Sequence, residues 1–251
     1  MTVMRIAVAG ATGQVGRYVV QAAGERGLEV VPLARANGVD LTTGTGLADR
    51  LAGVDAVVDV VSTRAQSRSA AEAFFSRVTR TLMNAGRDAG VGHHVALSIV
   101  GIDAVPSGYY RGKLLQERLL AEGDRPWSVL RATQFHEFAA QALDFARVGP
   151  WSLVPVMTSQ PVAAREVGQA LVALAEKGAS GRVADLVGPE VLSMHRLARR
   201  VSDARGLGRR VVPVRLPGAA GRGMRDGSLT AYGDDVVVGA TTFDAWLAAD
   251  G

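Results

Sequence analysis

Cysteine is absent from the 251-residue chain, which excludes disulfide bonds, thiol nucleophiles and thiolate metal sites together and leaves packing to hold the fold. Long apolar runs are missing as well. No window approaches the eighteen or so uninterrupted apolar residues that a membrane span needs, so the cytoplasm is the expected location and no membrane partner is expected. The chain has no internal repeat and no block of one charge. Its 28 Lys+Arg stand against 24 Asp+Glu, a formal net charge of +4, and the arginines are scattered, with short pairs at Arg199-Arg200 and Arg209-Arg210. Nucleic-acid binding wants a concentrated basic stripe, so no nucleic-acid partner is expected. A phosphorylated cofactor or an acidic substrate accounts for the mild positive excess.

Glycine, by contrast, is placed with purpose. Residues Arg5 to Gly16 read RIAVAGATGQVG, an apolar strand, three glycines and the start of a helical pattern. Gly10 lets the chain turn off the strand, Gly13 lets backbone approach a pyrophosphate, and Gly16 lets helix and sheet pack closely. The backbone of Gly10, Thr12, Gly13, Gln14, Val15 and Gly16 then forms a candidate phosphate loop, because the unpaired N–H groups and positive dipole end of a helix attract anions. Val15, Val19, Val20 and Ala23 recur at helical spacing, and Leu28 to Leu33 supplies a second strand.

Strand and helix signals alternate beyond this unit. Val39-Asp40-Leu41 reads as a very short strand, Leu47 to Leu51 as a helix and Asp55 to Val61 as a buried strand. A long helix is expected from about Ala70 to Ala89, a strand over His94 to Ser98, a helix over Tyr110 to Ala121 and a strand over Trp127 to Arg131. The rhythm changes at Gln134. Helices are then expected from about Ala164 to Ala175 and from Met194 to Ala204 with Ser193 as N-cap. A strand is expected over Gly181 to Val187, a mobile loop over Gly218 to Gly227, and a last helix capped by Thr242 that buries Phe243, Trp246 and Leu247. Phe145, Trp151 and Met157 read as core or pocket lining.

This order predicts an α/β fold, a Rossmann-type doubly wound parallel sheet with a smaller C-terminal substrate lobe. The expected division is 1–133 for the nucleotide-binding domain and 134–251 for the lobe, with a segment near 162–188 packing back onto the sheet. Ligands in such sheets sit beyond the carboxyl ends of the strands, where Gly10, Ser62 and Ser98 fall. His93 and His94 begin a strand at the opposite end, and no metal site is expected.

An acidic residue after the second strand would favour NAD, whereas an arginine there pairs with the 2′-phosphate of NADP. The chain reads Leu33-Ala34-Arg35, without a carboxylate. The forked donors of Arg35 favour NADP (NADPH), with NAD the weaker candidate. Asp40, beside Leu41, either accepts from the adenine amino group or only caps a turn.

Several blocks together resemble an atypical short-chain dehydrogenase/reductase of the NmrA-like and isoflavone-reductase-like kind. They are GATGQVG (10–16), DLTTGTGLADRLAGVDAVVDVVS (40–62), HVALSIVGID (94–103), YYRGKLLQERLL (109–120), WSVLRATQF (127–135) and GPEVLSMHRLAR (188–199). The resemblance spans nearly the whole chain and implies NAD(P) binding, with Ser62 beside the cofactor and Gln134, Phe135 and His136 in the substrate pocket. It also implies catalytic roles for Tyr109, Lys113 and Ser98. Tyr109 and Lys113 are four residues apart and share a helix face. In the family the lysine binds the nicotinamide ribose and lowers the tyrosine pKa, and the tyrosine exchanges a proton with substrate. Tyr110 adjoins Tyr109, and either phenol can face the cofactor. Ser98 is followed by Ile99 and Val100 where catalytic relatives carry a run of hydroxyls, so it stands beside the reacting carbonyl, lines the cofactor or bonds backbone.

The expected activity is an NADP-dependent oxidoreductase passing hydride between the nicotinamide and a small carbonyl or conjugated substrate. The alternatives are a non-catalytic NADP-sensing regulator of the NmrA-like type and an NAD(P)-dependent epimerase or dehydratase, the latter weakened by the lack of an acid near Arg35. Helices of this family often pair subunits, so a homodimer is also an expectation.

Overall fold

The computed structural model describes residues 3–250. In chain order its first elements are β1 (Arg5–Ala9), α1 (Gln14–Glu25), β2 (Glu29–Leu33), a 3-10 turn (Arg35–Asn37), α2 (Leu47–Leu51), β3 (Ala56–Asp59), α3 (Arg68–Asp88), β4 (His93–Ile99), α4 (Gly108–Ala121) and β5 (Trp127–Ala132). There follow α5 (Phe138–Phe145), β6 (Arg147–Val148), β7 (Trp151–Pro155), β8 (Thr158–Ser159), α6 (Ala164–Lys177), β9 (Gly181–Arg182), β10 (Asp185–Val187) and β11 (Leu192–Ser193). The chain closes with α7 (Met194–Ala204), β12 (Arg210–Val214), α8 (Gly218–Arg225), β13 (Val236–Val238) and α9 (Phe243–Asp250).

Two compact units emerge, each assembled from separate stretches of chain. The larger holds 1–98, 107–131 and 165–183; the smaller holds 99–106, 132–164 and 184–251.

In the larger unit the strand order is β2-β1-β3-β4-β5, with β9 parallel to β5. The β2-β1, β1-β3 and β3-β4 pairs are parallel. Ala7, Ala9, Val31, Leu33 and Val57 pack with Leu47 and Leu51 of α2 and Val78 and Leu82 of α3. Alternation then points Ile6 and Val8 to the other face, where both are still fully buried. A parallel strand covered on both sides has no reason to alternate polar and apolar residues, which is why these strands read as unbroken apolar runs. Close helix contacts depend on missing side chains: a Cβ at Gly112 of α4 would press on Ala71 and Phe75 of α3, and one at Gly168 of α6 would press on Tyr18 of α1. A bidentate pair between Arg131 and Glu117, at 2.9 and 2.7 Å, ties β5 to α4.

The smaller unit contains the parallel pair β10-β13, with Leu186 also opposite Ala132, and the three-stranded sheet β12-β7-β6. Its interior is built around Leu143, Val154, Met194, Leu197, Val201 and Phe243.

Four readings of the sequence are corrected here. Val39 to Leu41 forms no strand, because Asp40 turns the chain by accepting from the N–H and hydroxyl of Thr42. Gly218 to Arg225 is helix α8 rather than a loop, its glycines serving proximity: a Cβ at Gly223 would collide with Val105. The expected strand 181–187 divides into β9 and β10. Phe145 and Trp151 are largely exposed whereas Met157 is buried, since Trp151 lies at the hairpin tip with Arg210 over its ring. Thr242 does cap α9, accepting from the Ala245 N–H at 3.2 Å; Phe243 and Trp246 are buried, whereas Leu247 is only half-buried.

Candidate functional site

The glycine loop follows from its register. Ala9 pairs with Leu33 on one side and Asp59 on the other, so Gly10 leaves the sheet between the ends of β2 and β3. It adopts a φ of +84°, and a side chain there would meet the Val60 carbonyl oxygen at 3.1 Å. The N–H of Gly13 returns to the Gly10 oxygen at 2.9 Å. A Cβ at Gly16 would overlap that same oxygen and stand 2.8 Å from Ala11 Cα. Gly13 is the N-cap of α1 and has no side chain to cap the helix. The first turn therefore offers its amides outward from a cradle that any Cβ would fill, a surface suited to a pyrophosphate. Thr12 is exposed, Gln14 half-buried and Val15 buried.

Arg35 opens the 3-10 turn two residues beyond β2 and is exposed. Asp40 has its carboxyl held below the ordinary value by the Thr42 hydroxyl and N–H, with Arg35 adding a smaller effect. One of its oxygens is thereby committed to the turn, as the capping role requires. Leu41 packs against the adjoining core.

Ser62 lies three residues past β3, and its Oγ is 2.8 Å from the hydroxyl of Tyr109 on α4. Phe75 supports the Tyr109 ring edge-on at 5.6 Å. Burial pushes the Tyr109 phenol up, with Ser62 opposing; burial and the neighbouring Tyr109 push Tyr110 up to about 12. Ser98, near the end of β4, is 2% exposed, and its Oγ has no hydrogen-bond partner among the described residues. An orphan hydroxyl in that position leaves a donor and an acceptor for a bound group.

Lys113 lies one turn past Tyr109 but is drawn inward. Its Nζ donates to the Leu97 carbonyl at 2.5 Å and to Gln116 Oε1. Gln116 Nε2 donates to Asp59 Oδ2 at 2.8 Å, while Asp59 Oδ1 accepts from the Val61 N–H at 3.0 Å. Burial lowers Lys113 to about 8, with Asp59 and Glu117 pulling the other way. Burial opposes ionisation of Asp59, yet the facing His94, Lys113 and the Val61 N–H outweigh it and hold the carboxyl below its usual value. Asp59 and Gln116 were missed in the sequence, although Gln116 at i+3 shares the face of Lys113 and Asp59 places a charge at the end of a buried apolar strand.

In the smaller unit Gln134 donates to the Leu229 carbonyl at 3.2 Å and accepts from the Gln160 N–H at 3.2 Å. Phe135 bridges to Val162. His136 is 1% exposed, stacked on Trp246 and edge-on to Phe243, with Nε2 3.0 Å from the Thr241 carbonyl. Packing fixes the orientation of this buried imidazole. Among the described residues no group of three or more His, Cys, Asp or Glu can hold a metal ion, and no helix is long and apolar enough to cross a membrane.

Comparison with solved structures gives likenesses in fold. A short-chain dehydrogenase/reductase superfamily protein from Agrobacterium tumefaciens with bound NAD aligns at TM-score 0.69 and 21% identity, covering 98% of this chain and 95% of that one. The Escherichia coli NADPH-dependent quinone oxidoreductase QOR2, complexed with NADPH, gives 0.68 and 19%, covering 97% and 99%. The triphenylmethane reductase of a Citrobacter species, complexed with NADP(H), gives 0.67 and 18%, covering 98% and 99%. A comparison with curated proteins finds no match. A family model described as NAD(P)H-binding matches residues 10–177, the stretch that carries the glycine cradle, Arg35, Ser62, Ser98, Tyr109 and Lys113. The chain belongs to the NAD(P)H-binding family.

Proposed function

We propose that the protein is an NADPH-dependent reductase of a small conjugated or carbonyl substrate. The observation that carries this reading is the Tyr109 hydroxyl held at 2.8 Å by Ser62, one helical turn from Lys113 and on the same unit as the glycine cradle. The amides of the Gly10–Gly16 loop hold the pyrophosphate, Arg35 pairs with the 2′-phosphate, and Ser62 beyond β3 and Ser98 near the end of β4 offer hydroxyls. The bound nicotinamide supplies hydride to an electron-poor carbon. Tyr109 delivers the accompanying proton to the substrate oxygen, and Ser62 orients the phenol that does so. The two reductases of similar fold, one for quinones and one for triphenylmethanes, support an extended conjugated acceptor as the substrate class.

A second reading, an NADP-sensing regulator without turnover, is favoured by the inward aim of Lys113, which gives its hydrogen bonds to Leu97 and Gln116. The experiment that separates them is NADPH oxidation followed at 340 nm against a panel of quinones, aldehydes and cationic dyes, beside calorimetric titration of NADPH and NADH. Binding with turnover supports the reductase. Binding without turnover supports the sensor, and absence of binding overturns both.

A further inference from the structure

Of the 28 Lys+Arg in the chain only Lys113 and Lys177 are lysines. Lys177 is exposed, at the end of α6; Lys113 is 3% exposed. A buried ammonium must be hydrogen-bonded and charge-compensated, or it gives up its proton. Among the described residues no carboxylate forms a hydrogen bond or ion pair with Lys113. Its partners are the Leu97 carbonyl and the Gln116 Oε1, with the Phe75 ring of α3 5.0 Å away. The compensating charge lies one residue further on. Asp59 of β3 is fully buried and reaches Lys113 through the carboxamide of Gln116. That carboxamide has one workable orientation: reversed, it would set its NH2 against the ammonium and its oxygen against the carboxylate. Of the other charged groups here, His94 of β4 faces Asp59 at 3.7 Å, and Glu117 of α4 is held by Arg131 of β5.

We propose that Gln116 and Asp59 are positioning residues for Lys113, a two-link connector that holds the ammonium against the Leu97 carbonyl and carries the compensating charge of Asp59 to it through one carboxamide. For turnover this rests on the reductase reading; the connector itself does not. Among the described residues the side chains of Asp59 and Gln116 form no hydrogen bond with the glycine cradle or the Tyr109 hydroxyl, so they act through Lys113. The ammonium depends on a charge at one remove, which supports it more weakly than a direct ion pair does. Lys113 is therefore poised to titrate well below an ordinary lysine, and each link shifts it in a defined direction. Removing the carboxylate or cutting the connector lowers its midpoint, and moving the carboxylate from position 59 to position 116 raises it.

The two-lysine composition makes this measurable. The full chain is labelled with 13C-lysine, and the Cε signals are followed by NMR against pH without cofactor, with Lys177→Arg assigning the pair. Lys113 is expected to titrate about two units below an ordinary lysine. Asp59→Asn and Gln116→Leu are expected to lower that midpoint by about one unit, and the double variant Asp59→Asn/Gln116→Glu, which moves the single carboxylate into direct contact with the ammonium while the new amide at position 59 donates to it, to raise it by as much. An ordinary midpoint for Lys113 in the parent protein overturns the proposal, as does a midpoint that Asp59→Asn/Gln116→Glu leaves in place. Should the first two variants fail to fold by near-ultraviolet circular dichroism, the parent and the double variant decide. The pH profile of NADPH oxidation is expected to move with the NMR midpoint. If the protein binds no nicotinamide cofactor, that profile is blank and the reductase reading fails, while the titration still judges the connector.

Discussion

The hydroxyl of Tyr109 and the hydroxyl of Ser62 share a 2.8 Å hydrogen bond, which joins the first turn of α4 to the chain leaving β3. Forty-seven residues separate them in sequence. The bond distinguishes Tyr109 from the adjacent Tyr110, about 100° further round the helix, whose phenol burial and Tyr109 push up to about 12.

Tyr109→Phe is accordingly expected to reduce kcat for NADPH oxidation by about 10²-fold or more while leaving the NADPH Kd within about twofold, the pattern of a lost proton donor. Tyr110→Phe is expected to keep the rate. Steady-state kinetics with a quinone acceptor check both. Equal effects in the two variants would place the proton with another group.

Arg35 is exposed, and its guanidinium is the charged donor set that directly follows β2. Arg35→Ala is expected to weaken NADPH binding by about tenfold or more, the scale of a charge-assisted hydrogen bond at an exposed site, and to leave NADH binding unchanged. Calorimetric titration of both cofactors checks this. A parallel loss for the two cofactors would assign Arg35 to the pyrophosphate or to the fold.

Two glycines separate cofactor binding from stability. At Gly16 a methyl group would displace the Gly10 carbonyl and deform the cradle, so Gly16→Ala is expected to abolish detectable NADPH binding. Gly101 of the smaller unit has a φ of +75°, and an added Cβ would overlap the Ser228 carbonyl. Gly101→Ala is expected to cost on the order of 2–4 kcal/mol, summing backbone strain and overpacking. Urea unfolding and calorimetric binding of both variants test the pair.

Local signals carried most of the larger unit. The apolar runs of β1 to β5, the helical spacing in α3 and the glycines of the first turn each state their structure within about a dozen residues. Their place in the site followed because parallel strands end at a common edge. What sequence hid was set by distant partners. Gly218 to Arg225 looks like a loop because its glycines weaken a helix locally, and only Val105, far away in the chain, explains why small residues are needed there. The Asp59-Gln116-Lys113 connector escaped notice for the same reason. The i+3 spacing of Lys113 and Gln116 is visible, but the carboxylate that gives it meaning arrives from β3. The surroundings of His136 are hidden for the same reason: Phe243 and Trp246, which pack on its ring, come from the far end of the chain.

The buried lysine also gives the stability curve an unusual alkaline limb. Lys113 is lowered from 10.5 to about 8 in the folded protein, so between those values the unfolded chain binds more protons than the native one and stability rises with pH. Arginine does not titrate in this range, and Lys177 is the one other lysine. Above pH 10 the sign reverses, because Tyr109 and Tyr110 are raised in the native state and the unfolded chain loses those protons first. In acid Asp59 and His93 both lie below their ordinary values, so stability falls as pH drops through their windows, from about 6.5 downward for the histidine. Unfolding free energy is therefore expected to climb by about 1.5 kcal/mol between pH 8 and 9.5, at a slope approaching 1.36 kcal/mol per pH unit for one proton. Urea titrations at half-unit intervals measure it, with Lys113→Met as the control in which the slope disappears. A stability that is flat or falling from pH 8 to 9.5 in the parent protein means that Lys113 keeps its proton through this range, and that its burial is compensated more fully than one carboxamide link can account for.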